Sequence, residues 1–133
     1  MLTTELKKDF AFIKDEVQGV LLFGSAVKGE LNKRSDIDIA LVRPRTKSVL
    51  LTVFARLGQK YDVKIFEELP LTIKMDIIKH HLVIFGDDVE LSYYFYQFRK
   101  EWNDVEHRIR NNQFNSVREL INQRRAWRLQ NGK

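Results

Sequence analysis

Two aspartates spaced two residues apart are the side chains in this sequence best suited to chemistry. Asp36 and Asp38 alternate with Ile37 and Ile39, a pattern that indicates a β-strand. Both carboxylates therefore leave one face of the strand, while the isoleucines face the core. Two neighbouring carboxylates repel each other unless a cation compensates. Mg²⁺ prefers oxygen ligands and is held by one or two carboxylates together with substrate phosphates, so the pair predicts a divalent-cation site.

A later segment offers a third carboxylate. Asp62 lies at the start of an alternating run, 61–66, and the helix before it is long enough to return the chain beside the second strand. Three carboxylates at the ends of neighbouring strands can hold two Mg²⁺ ions about 3.5–4 Å apart, which clamps an in-line phosphoryl displacement. Asp36, Asp38 and Asp62 are therefore the predicted catalytic residues and metal ligands.

The residues predicted to bind the substrate come directly after a short apolar run in the sequence. Gly24 comes directly after it and lets the backbone approach a ligand closely. Ser25 then begins a helical turn, where its hydroxyl and the N–H groups can bind a phosphate. Lys28, Lys33 and Arg34 surround this position. We expect Gly24, Ser25, Lys28 and Arg34 to bind the nucleotide phosphates.

Alternating helical and strand patterns must position these residues. They favour a single α/β or α+β domain at 1–98, followed by a basic helical extension at 99–133. The aromatic stripe at 93–102 is predicted to lie in the core or at an interface, and the adjacent His80 and His81 to form a polar helix end. The predicted elements are a helix from Thr3 or Thr4 to Gly19, strands at 20–23 and 36–42, a helix at 47–60, a strand at 61–66, a helix from Pro70, a strand at 82–85, and helices at 89–109 and 117–129, with a break at 111–115.

Composition narrows the class of protein. The chain has no cysteine, which excludes a disulfide framework and a thiolate metal site. No apolar signal segment follows Met1, and the longest apolar runs are too short to span a bilayer. We therefore expect a cytoplasmic protein with no membrane partner. Residues 99–133 hold nine Lys/Arg and four Asp/Glu, a net charge of +5 that equals the total. The preferred interpretation of this charge is a solvated helical face, and the alternative is a surface that binds an acidic partner or RNA.

These residues together resemble a known signature. Phe23-Gly24-Ser25, ten further residues and Asp36-Ile37-Asp38-Ile39 resemble the motif of the DNA polymerase β-like nucleotidyltransferases. The small size is similar to that of the minimal nucleotidyltransferases of archaea and bacteria. Tyr61-Asp62-Val63 resembles the third-aspartate strand of this family, and the segment 67–85 its following helix and strand. The resemblance covers roughly residues 5–98.

The resemblance implies a fold and an activity. The fold would be a polymerase β-type mixed sheet of about four strands backed by helices, with a C-terminal helical extension. Gly24 and Ser25 would hold the phosphates of ATP or another nucleoside triphosphate, Asp36 and Asp38 two Mg²⁺ ions, and Asp62 would act as general base. Members of the group are often antitoxins of HEPN-domain toxins, and some transfer AMP to a toxin tyrosine. That is the function expected here.

Two other functions stay open on the sequence. The chain could neutralise a toxin by binding alone, through its aromatic helix and basic tail, or it could modify a small molecule of the aminoglycoside type. The second alternative lacks an evident second domain for an acceptor pocket, although a homo-oligomer could supply one. Nucleic acid is not expected as the main partner. No residue of the sequence identifies the acceptor of the transferred group or the nucleobase of the nucleotide substrate.

Overall fold

A run of five buried residues, β1 (Gly19–Phe23), forms the interior of a four-stranded sheet. In this computed structural model, which describes residues 2–29, 37–110, 121–125 and 127–128, β1 pairs antiparallel with β2 (Asp38–Val42) and with β4 (Leu82–Phe85). β3 (Asp62–Ile65) pairs parallel to β2, giving the order β3-β2-β1-β4. The predicted mixed sheet of about four strands is confirmed.

Helices cover both faces of the sheet. α1 (Leu2–Phe10) and α2 (Ser48–Leu57) lie on one face, and α3 (Leu71–Lys79) and α4 (Asp88–Arg110) on the other. Alternate residues of β1 and β2 belong to different clusters, because successive side chains of a strand point to opposite faces. Each fully buried large side chain stabilises the fold by about 1.5–3 kcal/mol. The first cluster includes Leu6, Phe10, Val20, Leu22, Ile39, Leu41, Val49 and Val53, and the second Leu21, Phe23, Ala40, Val42, Phe66, Ile77, Leu91 and Phe95.

The first helix is shorter than the sequence predicts. α1 ends at Phe10 and continues only as a 3₁₀ turn, Ala11–Ile13, while Gly19 is already the first residue of β1. The intervening backbone bonds to the end of β2 instead of continuing the helix. The Gln18 N–H donates to the Val42 carbonyl at 2.8 Å, and the Glu16 carbonyl accepts a hydrogen bond from the Arg45 N–H at 2.8 Å. The prediction that the helix reaches Gly19 was wrong for this reason.

The long helix α4 connects the predicted domain to the predicted extension. It has 23 residues and continues through position 98, where the sequence-based boundary lies. Beyond that position, Trp102 packs against the core cluster on the α3 and α4 face, and Trp127 also contacts this cluster. The division at 98 stays a prediction. Residues 121–125 and 127–128 are helical as expected, whereas the predicted break at 111–115 lies outside the described residues. Within the described part of the chain, no helix is long and apolar enough to cross a membrane.

Candidate active site

The register of the two parallel strands brings Asp38 and Asp62 side by side. Asp38 is the first residue of β2, Asp62 is the first of β3, and the two are paired across the ladder. Neighbouring strands lie about 4.8 Å apart, so the carboxylates are neighbours at one end of the sheet. The Asp62 N–H donates to the Ile37 carbonyl at 2.9 Å, which extends the pairing by one residue. Both side chains are half-buried.

Gly24 closes the site from the side of β1. Phe23, the last residue of β1, pairs with Asp38, so the chain leaves the sheet directly beside that carboxylate. Gly24 has a φ of +78°, and a Cβ placed on it would overlap the Asp38 carboxylate and lie 3.2 Å from its Cγ. Only glycine combines this left-handed backbone with so close an approach. In this structure Gly24 closely approaches Asp38, and its predicted approach to a ligand stays a prediction.

Ser25 lies in the short turn that follows. Gly24–Ala26 form a 3₁₀ turn, and the N–H groups of Val27 and Lys28 both donate to the Gly24 carbonyl at 3.2 Å. The predicted helical turn after β1 is thus present as a single 3₁₀ turn. Ser25 is half-buried within it, next to the residue that contacts Asp38. Its role toward phosphate stays a prediction.

Of the predicted phosphate-binding cations, Lys28 is the one within the described residues, and it pairs with a carboxylate of α3. The Lys28 ammonium lies 3.2 Å from a carboxylate oxygen of Asp76 on α3, and both side chains are more than one-third exposed. An exposed pair of this kind contributes at most about 1 kcal/mol, so a phosphate could compete for Lys28. Lys33, Arg34 and Asp36 lie outside the described residues.

Lys64 is a site residue that the sequence analysis did not single out. Its ammonium lies 3.1 Å from an Asp62 oxygen, and its side chain is 21% exposed. The two residues are two apart on β3 and therefore share a face of the strand. The spacing of Asp62 and Lys64 in the alternating segment was a visible signal for this pair. The chain itself supplies a cation to one of the two neighbouring carboxylates.

On the opposite face, Tyr61 ties the start of β3 to α1. Tyr61 is buried, and its hydroxyl donates to the Asp9 carboxylate. The Lys60 ammonium lies 2.8 Å from Asp9 and 2.6 Å from Glu5. Hydrogen bonds from Lys60 and then from Tyr61 lower the pKa of Asp9. Burial, followed by the bond to Asp9, raises the pKa of Tyr61 to about 12. This network fixes the residue immediately before Asp62.

The donor set suits a hard cation, although the described residues hold only part of it. No cluster of three or more His, Asp or Glu side chains capable of holding a metal occurs within the described ranges. Asp38 and Asp62 provide two neighbouring carboxylates, and Asp36 is the remaining predicted ligand. Carboxylate oxygens are the protein ligands that Mg²⁺ prefers, and it keeps several waters or substrate oxygens in addition. The residues in place fit such an ion.

The other candidate residues have structural roles. His80 follows the last residue of α3, and a ring nitrogen of His81 lies 2.8 Å from the Ile77 carbonyl. This confirms the predicted polar helix end. In the aromatic stripe, Phe95 and Phe98 are buried as predicted. Tyr93 and Tyr96 are 84% and 59% exposed, so these two do not belong to the core, and an interface at them stays a prediction.

A separate groove lies at the opposite end of the sheet. It encloses about 450 Å³ between α4 and the segment after β2, and its lining includes Arg43 and Tyr94. Arg43 has a φ of +49°, its N–H donates to Glu67 at 3.0 Å, and the Tyr94 hydroxyl donates to the same carboxylate at 2.7 Å. Burial and Glu67 raise the pKa of Tyr94. These bonds fix the backbone where the chain leaves β2.

A protein family model and two proteins of a known organism are similar in sequence to this chain. A family model described as polymerase beta, nucleotidyltransferase matches residues 6–90. A protein of Methanocaldococcus jannaschii with the provisional name protein adenylyltransferase is 61% identical over 112 residues, which cover 84% of this chain and 91% of that protein. A second protein of that organism with the same provisional name is 33% identical over 67 residues, covering 46% of this chain and 68% of its own.

Solved structures share the fold at much lower identity. A chain from a crystal structure of a toxin–antitoxin with AMP-PNP matches with a TM-score of 0.67 and 15% identity, covering 88% of this chain and 98% of that one. A chain from a mutant of the toxin–antitoxin MntA–HpeT matches with a TM-score of 0.66 and 14% identity, covering 86% and 97%. At these identities the likeness concerns the fold alone, and it confirms the predicted nucleotidyltransferase fold.

Proposed function

This chain belongs to the polymerase β nucleotidyltransferase family, and from that membership we propose that it transfers AMP from ATP to a hydroxyl group of a protein. The observation that carries the proposal is the in-register pair Asp38 and Asp62, with the Gly24 backbone held against Asp38. A carboxylate pair beside a glycine turn suits the donor half of such a reaction, because it brings metal ligands and a phosphate-binding backbone together.

Each residue of the site has a proposed role. Asp36, Asp38 and Asp62 would hold two Mg²⁺ ions, which when bound would neutralise the triphosphate and the leaving pyrophosphate. Gly24 and Ser25 would hold the phosphates through the backbone and the hydroxyl. The acceptor oxygen attacks the α-phosphorus, the bond from that phosphorus to the bridging oxygen breaks, and pyrophosphate leaves. The acceptor proton passes to the Asp62 carboxylate.

Lys64 adds a condition to that mechanism. Its ammonium lies 3.1 Å from one Asp62 oxygen, so that oxygen must exchange this partner before it can bind a metal ion, while the second carboxylate oxygen is not contacted in this ion pair. The pair is about one-quarter exposed on each side, and a divalent ion attracts a carboxylate more strongly than an ammonium does. We therefore place Lys64 as a positioning residue that holds the Asp62 side chain in place until the substrate complex arrives.

The acceptor and the partner are proposed from the relatives. Both Methanocaldococcus jannaschii proteins carry the name protein adenylyltransferase, which supports a protein acceptor. The two structural neighbours come from toxin–antitoxin complexes, one of them with AMP-PNP, which supports a toxin partner and an adenine nucleotide. We propose that the acceptor is a tyrosine of a HEPN-domain toxin and that modification neutralises the toxin in the cytoplasm.

The test is transfer of label to the protein encoded beside this gene. Wild-type chain, Mg²⁺, that protein and ATP labelled at the α-phosphate are incubated, and the label on the partner is measured. Asp38→Asn and Asp62→Asn should each reduce the rate by about 100-fold or more, since each removes a proposed metal ligand worth several kcal/mol. Asp15→Asn, which changes an exposed aspartate in the segment before β1, should leave the rate unchanged. Equal labelling by all four proteins would contradict the proposal.

A further inference from the structure

Lys28 and Asp76 form an ion pair between the turn after β1 and the helix α3. The Lys28 ammonium lies 3.3 and 3.2 Å from the two carboxylate oxygens of Asp76, so it contacts both of them. Within the described residues, neither side chain forms an ion pair with any other residue. The pair therefore links two elements whose residues are 48 positions apart in the sequence.

The turn that carries Lys28 is held on both faces of the sheet. Ala26 and Val27 pack against the core cluster on the α1 and α2 face. Lys28 follows them directly and reaches Asp76 on α3, which covers the opposite face. The ion pair is therefore the contact that fastens the end of this turn to the α3 side.

Asp76 has a fixed position, whereas the Lys28 side chain can leave it. The residues on either side of Asp76, Met75 and Ile77, are buried in the core. Lysine has a flexible stem, and the two paired side chains are 38% and 39% exposed. Water screens an ion pair that is exposed to this degree, so the pair is weak. Lys28 can therefore exchange Asp76 for another anion at small cost.

We propose that Asp76 is a positioning residue of the nucleotide site, which holds Lys28 while the site is empty and yields it to the phosphates of a nucleoside triphosphate. This proposal rests on the proposed function, because it requires a triphosphate beside Gly24. The Lys28 N–H donates to the Gly24 carbonyl at 3.2 Å, and the Gly24 backbone is held against Asp38. Lys28 therefore belongs to the same turn that would bind those phosphates.

Charge decides the direction of the exchange. Asp76 offers a single negative charge, whereas a triphosphate offers several ionised oxygens, to which an ammonium donates short, charge-assisted hydrogen bonds. The exchange breaks the exposed ion pair, which lowers nucleotide affinity by at most about fivefold. Asp76 and the nucleotide therefore compete for Lys28, and any effect of Asp76 on nucleotide binding depends on Lys28.

A double-mutant cycle on nucleotide binding tests this dependence. Isothermal titration measures the affinity of wild type, Asp76→Asn, Lys28→Met and the double variant for a non-hydrolysable ATP analogue with Mg²⁺. Asp76→Asn should tighten binding about two- to fivefold, because Lys28 then has no competing partner. Lys28→Met should weaken binding about tenfold, and Asp76→Asn should have no effect in that background. Asp104→Asn, which removes an exposed carboxylate from α4, should leave the affinity unchanged in both backgrounds.

The cycle separates the failure of this inference from the failure of the proposed function. Equal tightening by Asp76→Asn in the wild-type and Lys28→Met backgrounds would overturn the role of Asp76 and leave the proposed function standing, because a general charge effect would explain it. Weaker binding by Asp76→Asn would overturn the role of Asp76 as well. A wild-type chain that does not bind the analogue would overturn both. The expected cycle in a chain that transfers no AMP would support Asp76 and contradict the proposed function.

The kinetics of transfer give a readout that a purely structural role would not move. Asp76→Asn should lower KM for ATP about two- to fivefold with kcat unchanged, because the gained contact is the same in the ground state and the transition state. Asp76→Glu keeps the carboxylate and should stay close to wild type. A lower kcat for Asp76→Asn, together with a lower unfolding temperature, would show that the ion pair only supports the fold and would overturn the proposal.

Discussion

Gly24 and Asp38 occupy a space at the end of β1 that leaves no room for a side chain on the glycine. Gly24 has a φ of +78°, and a Cβ on it would overlap the Asp38 carboxylate. Gly29 has a φ of +75° as well, but a Cβ there would meet no atom within 4 Å. These two glycines share a backbone conformation and differ in their surroundings. Alanine at Gly29 would therefore cause backbone strain alone, whereas alanine at Gly24 would cause the same strain and also displace the Asp38 carboxylate.

Gly24→Ala should therefore lower kcat/KM for nucleotide transfer by about 100-fold or more, since a displacement of about 1 Å at a reacting centre costs that much. Gly29→Ala should lower the unfolding free energy by only about 1 kcal/mol, the cost of a left-handed alanine, with transfer unchanged. Thermal unfolding and initial rates measure both effects. Equal activity of the two variants would show that the contact of Gly24 with Asp38 is irrelevant to the reaction.

Lys64 leads to a second prediction at this scale. Because its ammonium lies on Asp62 and would compete there with the proposed metal ion, Lys64→Met should tighten Mg²⁺ binding about three- to tenfold, the range of one partly exposed ion pair. Isothermal titration with Mg²⁺ and a non-hydrolysable ATP analogue measures it. Lys79→Met removes the same charge from the exposed end of α3 and should have little effect. Weaker Mg²⁺ binding by Lys64→Met would show that Lys64 supports the metal site and does not compete with it.

At the scale of elements, the position of β3 depends on its link to α1. Tyr61 and Lys60 both bond to Asp9, and these bonds lower the pKa of Asp9 below its ordinary value of 3.8. A carboxyl whose pKa is lower in the folded state contributes stability above its unfolded pKa and loses that contribution as pH falls through the folded pKa. The stabilisation by Asp9 is therefore complete at neutral pH and disappears below pH 3.8.

Asp9→Asn should lower the unfolding free energy at pH 7 by about 1–2 kcal/mol, the value of hydrogen bonds to a charged group. The difference from wild type should shrink as the pH falls below 3.8, because the wild-type carboxyl is then protonated. Urea unfolding at several pH values gives the comparison. Asp15→Asn, at an exposed position, should match wild type at every pH. A difference in unfolding free energy between wild type and Asp9→Asn that stays constant from about pH 7 to about pH 2.5 would contradict this role of Asp9, because each unit of pKa lowering corresponds to about 1.4 kcal/mol of stability.

At the scale of the whole molecule, sequence patterns predicted the sheet because its strands are locally distinct. The apolar run 20–23 and the alternating runs before Val42 and Phe66 each carry a strand signal that needs no tertiary context. The sequence predicted that Asp62 returns beside the second strand, but its residue-by-residue pairing with Asp38 depends on register between segments far apart in sequence, which no local pattern contains. The link between Asp9 and Tyr61 spans 52 residues and was invisible for the same reason.

The errors of prediction have the same origin. Helical spacing continued past Ile13 in the sequence, but the backbone near Gln18 bonds to the end of β2 and ends the helix early. The aromatic stripe was predicted to lie in the core or at an interface, and the geometry of α4 leaves Tyr93 and Tyr96 outside the core. Tertiary contacts decided both cases. The roles of Gly24, Ser25, Lys28, Arg34, Asp36, Asp38 and Asp62 stay predictions until they are tested by mutation.

The central claim is that the chain transfers a nucleoside monophosphate. The most direct test is to determine whether the α-phosphate or the γ-phosphate of ATP is found in the modified protein. Parallel reactions contain the chain, Mg²⁺, the neighbouring gene product and ATP labelled at either the α- or the γ-phosphate. Attack at the α-phosphorus predicts that the protein product retains only the α label and that the γ label leaves as pyrophosphate. A protein product that carries the γ label, or one that carries neither label while the partner is still neutralised, would contradict the account.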